Sequence, residues 1–273
     1  MRVSTLLLCP LIGLATLLTS CDRPGLHAAN PSVSTTRISY PVQRLSDPLH
    51  EAVAGPVDPD LRVGAIFLDG GNQHVCTGAV VHSARGNLVM TAAHCLARAS
   101  QIAFAPGFGG DAPPTDLWTA DAVYLDPRWI ANKDPRADYA IARVNSDHGG
   151  TVESHIGLAL SLGMAPPSGS RVTVVGYPSG IGGSPIGCQA STGVTDTGFP
   201  SLACEGLVGG TSGAPWVSGT TVTGLIGGFE GGGCAENVSY SAPFDEHTAQ
   251  LLTRADAGGP GDTVPNDVAA DPC

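Results

Sequence analysis

Lysine is almost missing from this chain. Lys133 is the only one, and acidic residues outnumber basic ones 24 to 13. The resulting net charge of -11 excludes a phosphate-reading surface, because polyanion binding needs clustered Lys and Arg. No nucleic-acid partner is therefore expected. Charged residues of both signs make up only 14% of the chain while 42% is hydrophobic, so a sizeable core can be buried and wholesale disorder is excluded. Zinc-binding spacings are absent as well. No Cys-x-x-Cys and no His-Glu-x-x-His string occurs, and neither a metal nor any other cofactor is expected. Sustained helical periodicity is also lacking, and the apolar run at residues 6–18 is too short to span a bilayer comfortably.

What the chain does contain is turn chemistry, with 37 Gly and 22 Pro, and three short strings set among it. They are Thr91-Ala92-Ala93-His94-Cys95, Asp138-Tyr139-Ala140-Ile141-Ala142 and Gly209-Gly210-Thr211-Ser212-Gly213-Ala214-Pro215. A serine hydroxyl is a weak nucleophile until an imidazole takes its proton, and the imidazole needs a carboxylate to fix its tautomer. Any one string has an ordinary reading: glycine and serine crowd into turns, a His after Ala-Ala can be a core residue, and an Asp can cap a turn. The conjunction is specific, because the order His, Asp, Ser differs from the subtilisin order and from the α/β-hydrolase order. Asp134 competes for the acid's role, but it precedes Pro135 in a loop, whereas Asp138 opens an apolar strand.

On these strings, residues 60 to 255 resemble the chymotrypsin-like (trypsin-fold) serine peptidases, in particular their bacterial secreted branch of streptogrisin-like and glutamyl-endopeptidase-like enzymes. The resemblance implies an all-β fold of two six-stranded antiparallel β-barrels with a short C-terminal helix. It implies a serine endopeptidase acting on polypeptide as a monomer, with His94, Asp138 and Ser212 catalytic and the N–H groups of Gly210 and Ser212 forming the oxyanion hole. It also implies that Cys76 and Cys95 are bridged. Thr211 departs from the animal digestive enzymes, which carry Asp before the serine to pair with a newly cut N-terminus; an uncharged threonine cannot form that ion pair. Ile226 or a neighbour stands where glutamyl endopeptidases carry His, which argues against Glu preference and leaves a small or apolar P1 residue as the expectation. Glu205 at a pocket base would instead favour Lys or Arg. The competing class is a catalytically silent surface binding module on the same scaffold.

The remaining organisation follows from composition. Arg2 and the apolar run make residues 1–20 a signal peptide, and Leu18-Thr19-Ser20-Cys21 resembles a bacterial lipobox with Cys21 lipidated. Ordinary cleavage near Ala28-Ala29 is the alternative. The expected destination is therefore outside the cell, either anchored to the outer face of the membrane by lipid or freely secreted. Residues 21–58 read as a tether or leader, 59–255 as the peptidase domain and 256–273 as a Gly/Pro/Asp-rich disordered tail. Short β-branched and apolar runs are expected as strands at 62–68, 77–81, 88–92, 120–125, 139–144, 171–177, 214–217 and 222–229, and one helix at 245–254. Apart from Cys9 and Cys21, six cysteines remain, an even number that suits disulfides. Cys188 with Cys204 is the preferred second bridge, leaving Cys234 with Cys273, and Cys204 with Cys234 is the alternative. His74, His82, His148, His155 and His247 show no ligand spacing and are expected on the surface or in loops, while Trp118, Trp129 and Trp216 are expected in the core.

Overall fold

The computed structural model describes residues 52–265, apart from 98, 111–115, 148 and 234–236. Two short strands come first, β1 (Ala52–Val53) and β2 (Gly55–Pro56). Six longer ones follow: β3 (Val63–Leu68), β4 (Gln73–Val81), β5 (Leu88–Thr91), β6 (Ile102–Pro106), β7 (Trp118–Leu125) and β8 (Ala140–Asn145). These pair in the order β4-β3-β6-β7-β8-β5, and β5 returns to β4, closing an antiparallel barrel. Closure removes every free edge within the ring. Its interior is filled by Ile66, Val80, Met90, Phe104, Trp118 and Tyr124, all essentially inaccessible.

The second half contains β9 (Ser161–Leu162), β10 (Arg171–Gly176), β11 (Gly180–Ile181), β12 (Ile186–Val194), β13 (Pro200–Glu205), β14 (Pro215–Ser218), β15 (Thr221–Leu225) and β16 (Val238–Tyr240). Six of these run antiparallel in the order β16-β13-β12-β10-β14-β15. The seam between β15 and β16 is joined beyond the strand ends, where Gly227 N–H donates to Tyr240 C=O at 3.0 Å and Leu225 N–H to Ser241 Oγ at 3.0 Å. Val172, Val174, Leu202, Trp216 and Ile226 form the core of this half.

Both domain edges extend past the expected 59–255. β1 pairs parallel with β13, and β2 pairs with β12, so residues 52–56 belong to the second sheet rather than to a loose leader. Ala52 and Ala54 pack on that core, which small side chains can do without opening the edge. The start of the tail is likewise ordered, and Asp262 is the reason. Its N–H donates to Val123 C=O at 2.7 Å, and its carboxylate accepts from Leu125 N–H at 2.8 Å and pairs with Arg254 at 2.6 Å. A composition reading sees only Gly, Pro and Asp here and misses one aspartate meeting three partners.

The expected helix appears as α3, Glu246–Ala257, following two short helices that the sequence reading omits, α1 (Pro127–Asn132) and α2 (Val152–Ile156). Asp245 caps α3: its side chain accepts from His247 and Thr248 N–H while Thr248 Oγ1 accepts from Asp245 N–H. Thr248, Leu251 and Ala255 form the buried face, at helical spacing, against the first barrel. Trp118, Trp129 and Trp216 are buried as expected. His74 is not on the surface: it is 1% exposed, packed edge-on against Phe67, Phe108 and Tyr177.

Candidate active site

His94 sits on a 3₁₀ turn, Ala93–Leu96, directly after β5, so the closed barrel fixes where its ring starts. Asp138 follows another 3₁₀ turn, Pro135–Ala137, and precedes β8, the barrel neighbour of β5. The Thr91–Ala140 register brings the two residues together. Asp138 is buried, and its carboxylate accepts from three donors. Its Oδ2 takes His94 Nδ1 at 2.8 Å and Gly228 N–H at 2.8 Å, and its Oδ1 takes His94 backbone N–H at 2.9 Å. An ionised carboxylate only accepts, so Nδ1 carries the hydrogen and Nε2 presents a lone pair. Burial alone would raise the Asp138 carboxyl, but the His94 charge, the His94 ring hydrogen bond and the two amides outweigh it and hold the group below the ordinary carboxylate range.

Ser212 lies on the turn between β13 and β14 and is partly exposed. Two glycines give the turn its shape. Gly210 has φ +94°, and a Cβ there would stand 2.1 Å from Ser179 N; Gly213 has φ +82°, and a Cβ would stand 2.2 Å from Thr77 O. Gly209 C=O accepts from Ser179 N–H at 2.8 Å, and Thr211 C=O accepts from Ala214 N–H at 2.9 Å. In a planar trans peptide the N–H points opposite to its C=O, so the amides of Gly210 and Ser212 face away from these carbonyls' partners. Thr211, with no charge to offer a distant amine, is tied locally: its Oγ1 donates to Val208 C=O at 2.7 Å and its N–H to the same oxygen at 3.1 Å.

A disulfide braces each half of this site, and a hydrogen bond connects the halves. Cys76 is bonded to Cys95, next to His94, and Cys188 to Cys204. Thr77, the neighbour of Cys76, donates its N–H to Ser212 C=O at 2.8 Å. Cys21, Cys234 and Cys273 lie outside the described residues. Cys76, His94 and Cys95 present donor atoms within 4.8 Å of one another, but the disulfide consumes both thiolates and leaves one imidazole, too little for a zinc centre. Asp134 is used otherwise, accepting from Arg136 N–H at 2.9 Å as the cap of its turn. Glu205 is exposed on β13 beside β1, and Ile226 is buried in the second core.

Sequence reasoning overlooked the support behind Asp138. Tyr139, the next residue, is fully buried and donates its hydroxyl to Asp126 Oδ2 at 2.8 Å, and Arg128 pairs with the same carboxylate at 2.8 Å. Burial opposes the charge on Asp126, yet Arg128 and Tyr139 lower its pKa to about 2. A carboxyl depressed on folding stabilises above its unfolded pKa, near 4, and loses that contribution as pH falls toward 2. Asp126→Asn is expected to cost about 2 kcal/mol at neutral pH, the scale of hydrogen bonds to a charged group. Urea unfolding from pH 7 to pH 2.5 should show the gap between wild type and variant narrowing below pH 4; a gap that stays constant would remove Asp126 from this role.

Residues 76–232 match the model of the trypsin-like peptidase domain family. A curated relative, an extracellular metalloprotease of Bacillus subtilis, is 29% identical over 130 residues, 46% of this chain and 33% of the relative. The match thus spans a third of that relative's length. Among solved structures, the protease Anisep from Arthrobacter nicotinovorans superposes with TM-score 0.65 at 24% identity, covering 76% of this chain and all of Anisep. The human heparin binding protein superposes with TM-score 0.58 at 17% identity, covering 77% and 99%. At these identities the two structures establish the fold.

Proposed function

This chain belongs to the trypsin-like peptidase family, a serine endopeptidase by that membership, and we propose that His94, Asp138 and Ser212 carry its chemistry. The observation that carries the assignment is the doubled contact of Asp138 with His94, to ring Nδ1 and to backbone N–H. It fixes both the tautomer and the orientation of the imidazole. His94 Nε2 takes the proton of Ser212 as Oγ attacks the scissile carbonyl, then returns it to the leaving amine. Asp138 remains ionised and stabilises the imidazolium. The carbonyl oxygen, now an anion, is received by the N–H groups of Gly210 and Ser212, and the acyl-enzyme is then hydrolysed by water that His94 deprotonates. Exposed Glu205 and buried Ile226 leave a small or apolar P1 residue as the preferred substrate. Digestion of a peptide library should give cleavage after such residues, blocked by a fluorophosphonate; cleavage after Glu, Lys or Arg would overturn this preference.

The fold likeness to a heparin binding protein favours a second reading, a silent surface binding module. Two observations count against it here: the His94–Asp138 pair is intact, and a net charge of -11 repels polyanions.

The two disulfides fit an extracellular location. Among the described residues no helix is long and apolar enough to cross a membrane. The proposed anchor is lipid on Cys21, supported by the Leu18-Thr19-Ser20-Cys21 string. Mass spectrometry of the mature N-terminus is expected to find a lipidated Cys21, and Cys21→Ala should release the protein from membranes or block its processing. An unmodified start at Ala29 or Asn30 would instead identify a freely secreted enzyme. The working unit is proposed to be the monomer.

A further inference from the structure

Thr77 lies outside the three strings, yet it bonds the turn that carries Ser212 at two points, Gly210 C=O and Ser212 C=O. It is fully buried on β4, at the junction of the two sheets. Its backbone pairs with Ser212 C=O at 2.8 Å through N–H, while its own C=O accepts from Thr91 Oγ1 at 2.7 Å. The hydroxyl is also used in both senses. Oγ1 donates to Gly210 C=O at 3.0 Å and accepts from Tyr177 N–H at 2.9 Å. Both of those groups belong to loops rather than ladders, so no strand pairing would satisfy them in its place.

We propose that the Thr77 hydroxyl is the positioning residue for the oxyanion hole: by holding Gly210 C=O it fixes the backbone torsions of Gly210, and with them the direction in which the preceding peptide aims the Gly210 N–H at the reacting carbonyl. This rests on the reading of Ser212 and Gly210 given above. The physical need comes from glycine itself. Gly210 reaches φ +94° because it has no side chain, and the same freedom lets its backbone rotate away. Two clamps oppose that rotation. Ser179 N–H holds Gly209 C=O on one side, and Thr77 Oγ1 holds Gly210 C=O on the other. The Thr77 hydroxyl serves the first clamp too. It anchors Tyr177, two residues before Ser179, and Ser179 Oγ in turn donates to His74 C=O at 3.1 Å on β4. One buried hydroxyl thus sets both walls between which Gly210 sits. The same β4 segment carries Cys76, whose bond to Cys95 locates His94, so base, nucleophile and hole are referred to one strand.

The test compares Thr77→Val, which keeps the branched shape and removes the hydroxyl, with Thr77→Ser, which keeps the hydroxyl. Thr77→Ala supplies a second hydroxyl-free side chain should valine fail to fold. Active sites are titrated by the burst from a peptide nitrophenyl ester, so that kcat refers only to competent molecules. Turnover of a peptide amide and inhibition by the matching peptide trifluoromethyl ketone, which forms an oxyanion on the serine, are then measured. Thr77→Val and Thr77→Ala should lose about 100-fold in kcat, the scale of one oxyanion donor, with KM changed by less than about threefold. Affinity for the trifluoromethyl ketone should fall in parallel, and Thr77→Ser should recover to within about fivefold of wild type. The proposal is overturned if the hydroxyl-free variants lose only titratable sites or thermal midpoint while the remaining sites turn over normally, or if Thr77→Ser is as slow as Thr77→Val. A wild-type protein that shows neither a burst nor inhibition by the ketone would instead overturn the Ser212 assignment, and the role of Thr77 with it.

Discussion

Ser212→Ala is expected to lower peptidase turnover by about a million-fold, the scale seen when a triad nucleophile is removed. The loss is purely chemical. Alanine takes away Oγ, while the turn keeps its anchors: Thr77 N–H bonds the backbone carbonyl of residue 212, and Gly213 N–H bonds Ile226 C=O at 2.7 Å. The variant should therefore unfold at nearly the wild-type midpoint and still bind peptide. Rates on a peptide amide together with a thermal melt check both halves of the statement. Near-wild-type turnover with an unchanged melt would take the nucleophile's role away from Ser212.

Asp138→Asn is expected to cost about 10⁴-fold in kcat, whereas Asp134→Asn should stay within a few-fold of wild type. All the groups around Asp138 are donors: the ring Nδ1–H and backbone N–H of His94, and the N–H of Gly228. An asparagine must point its NH₂ at one of them. The cheapest escape is for the imidazole to move its hydrogen to Nε2, which then cannot accept the serine's proton. Asp134 caps its own turn and asparagine caps nearly as well, so little should change there. Matched kcat measurements on the two variants decide between the acids, and a reversed result would make Asp134 the partner of His94.

The strings around His94, Asp138 and Ser212 were legible because such chemistry needs particular residues in short, ordered contexts. Strands were legible where β-branched and apolar residues run together, as in β3, β8 and β10. β12 and β13 escaped because they read Ile-Gly-Cys-Gln-Ala-Ser-Thr-Gly-Val and Pro-Ser-Leu-Ala-Cys-Glu. Small and polar residues have little strand propensity, and here β2, β16 and the Cys188–Cys204 bond complete the pairing. Short α1 and α2 escaped because six and five residues are too few to show a period. Thr77 and Asp126 escaped for another reason. A threonine in a strand and an aspartate before a proline are ordinary in sequence, and their roles arise from partners up to 133 residues away for Thr77 and from a buried tyrosine for Asp126.

The central claim is that Ser212 is made nucleophilic by His94 held by Asp138. Its most direct measurement is labelling of the oxidised, folded protein with a fluorophosphonate, followed by peptide mapping of the adduct. The expected result is one phosphonyl group per molecule, on Ser212, at a rate that falls by orders of magnitude in Asp138→Asn and in any substitution of His94. Failure of the wild-type protein to react, or an adduct mapped to another residue while Ser212 stays unmodified, would contradict it.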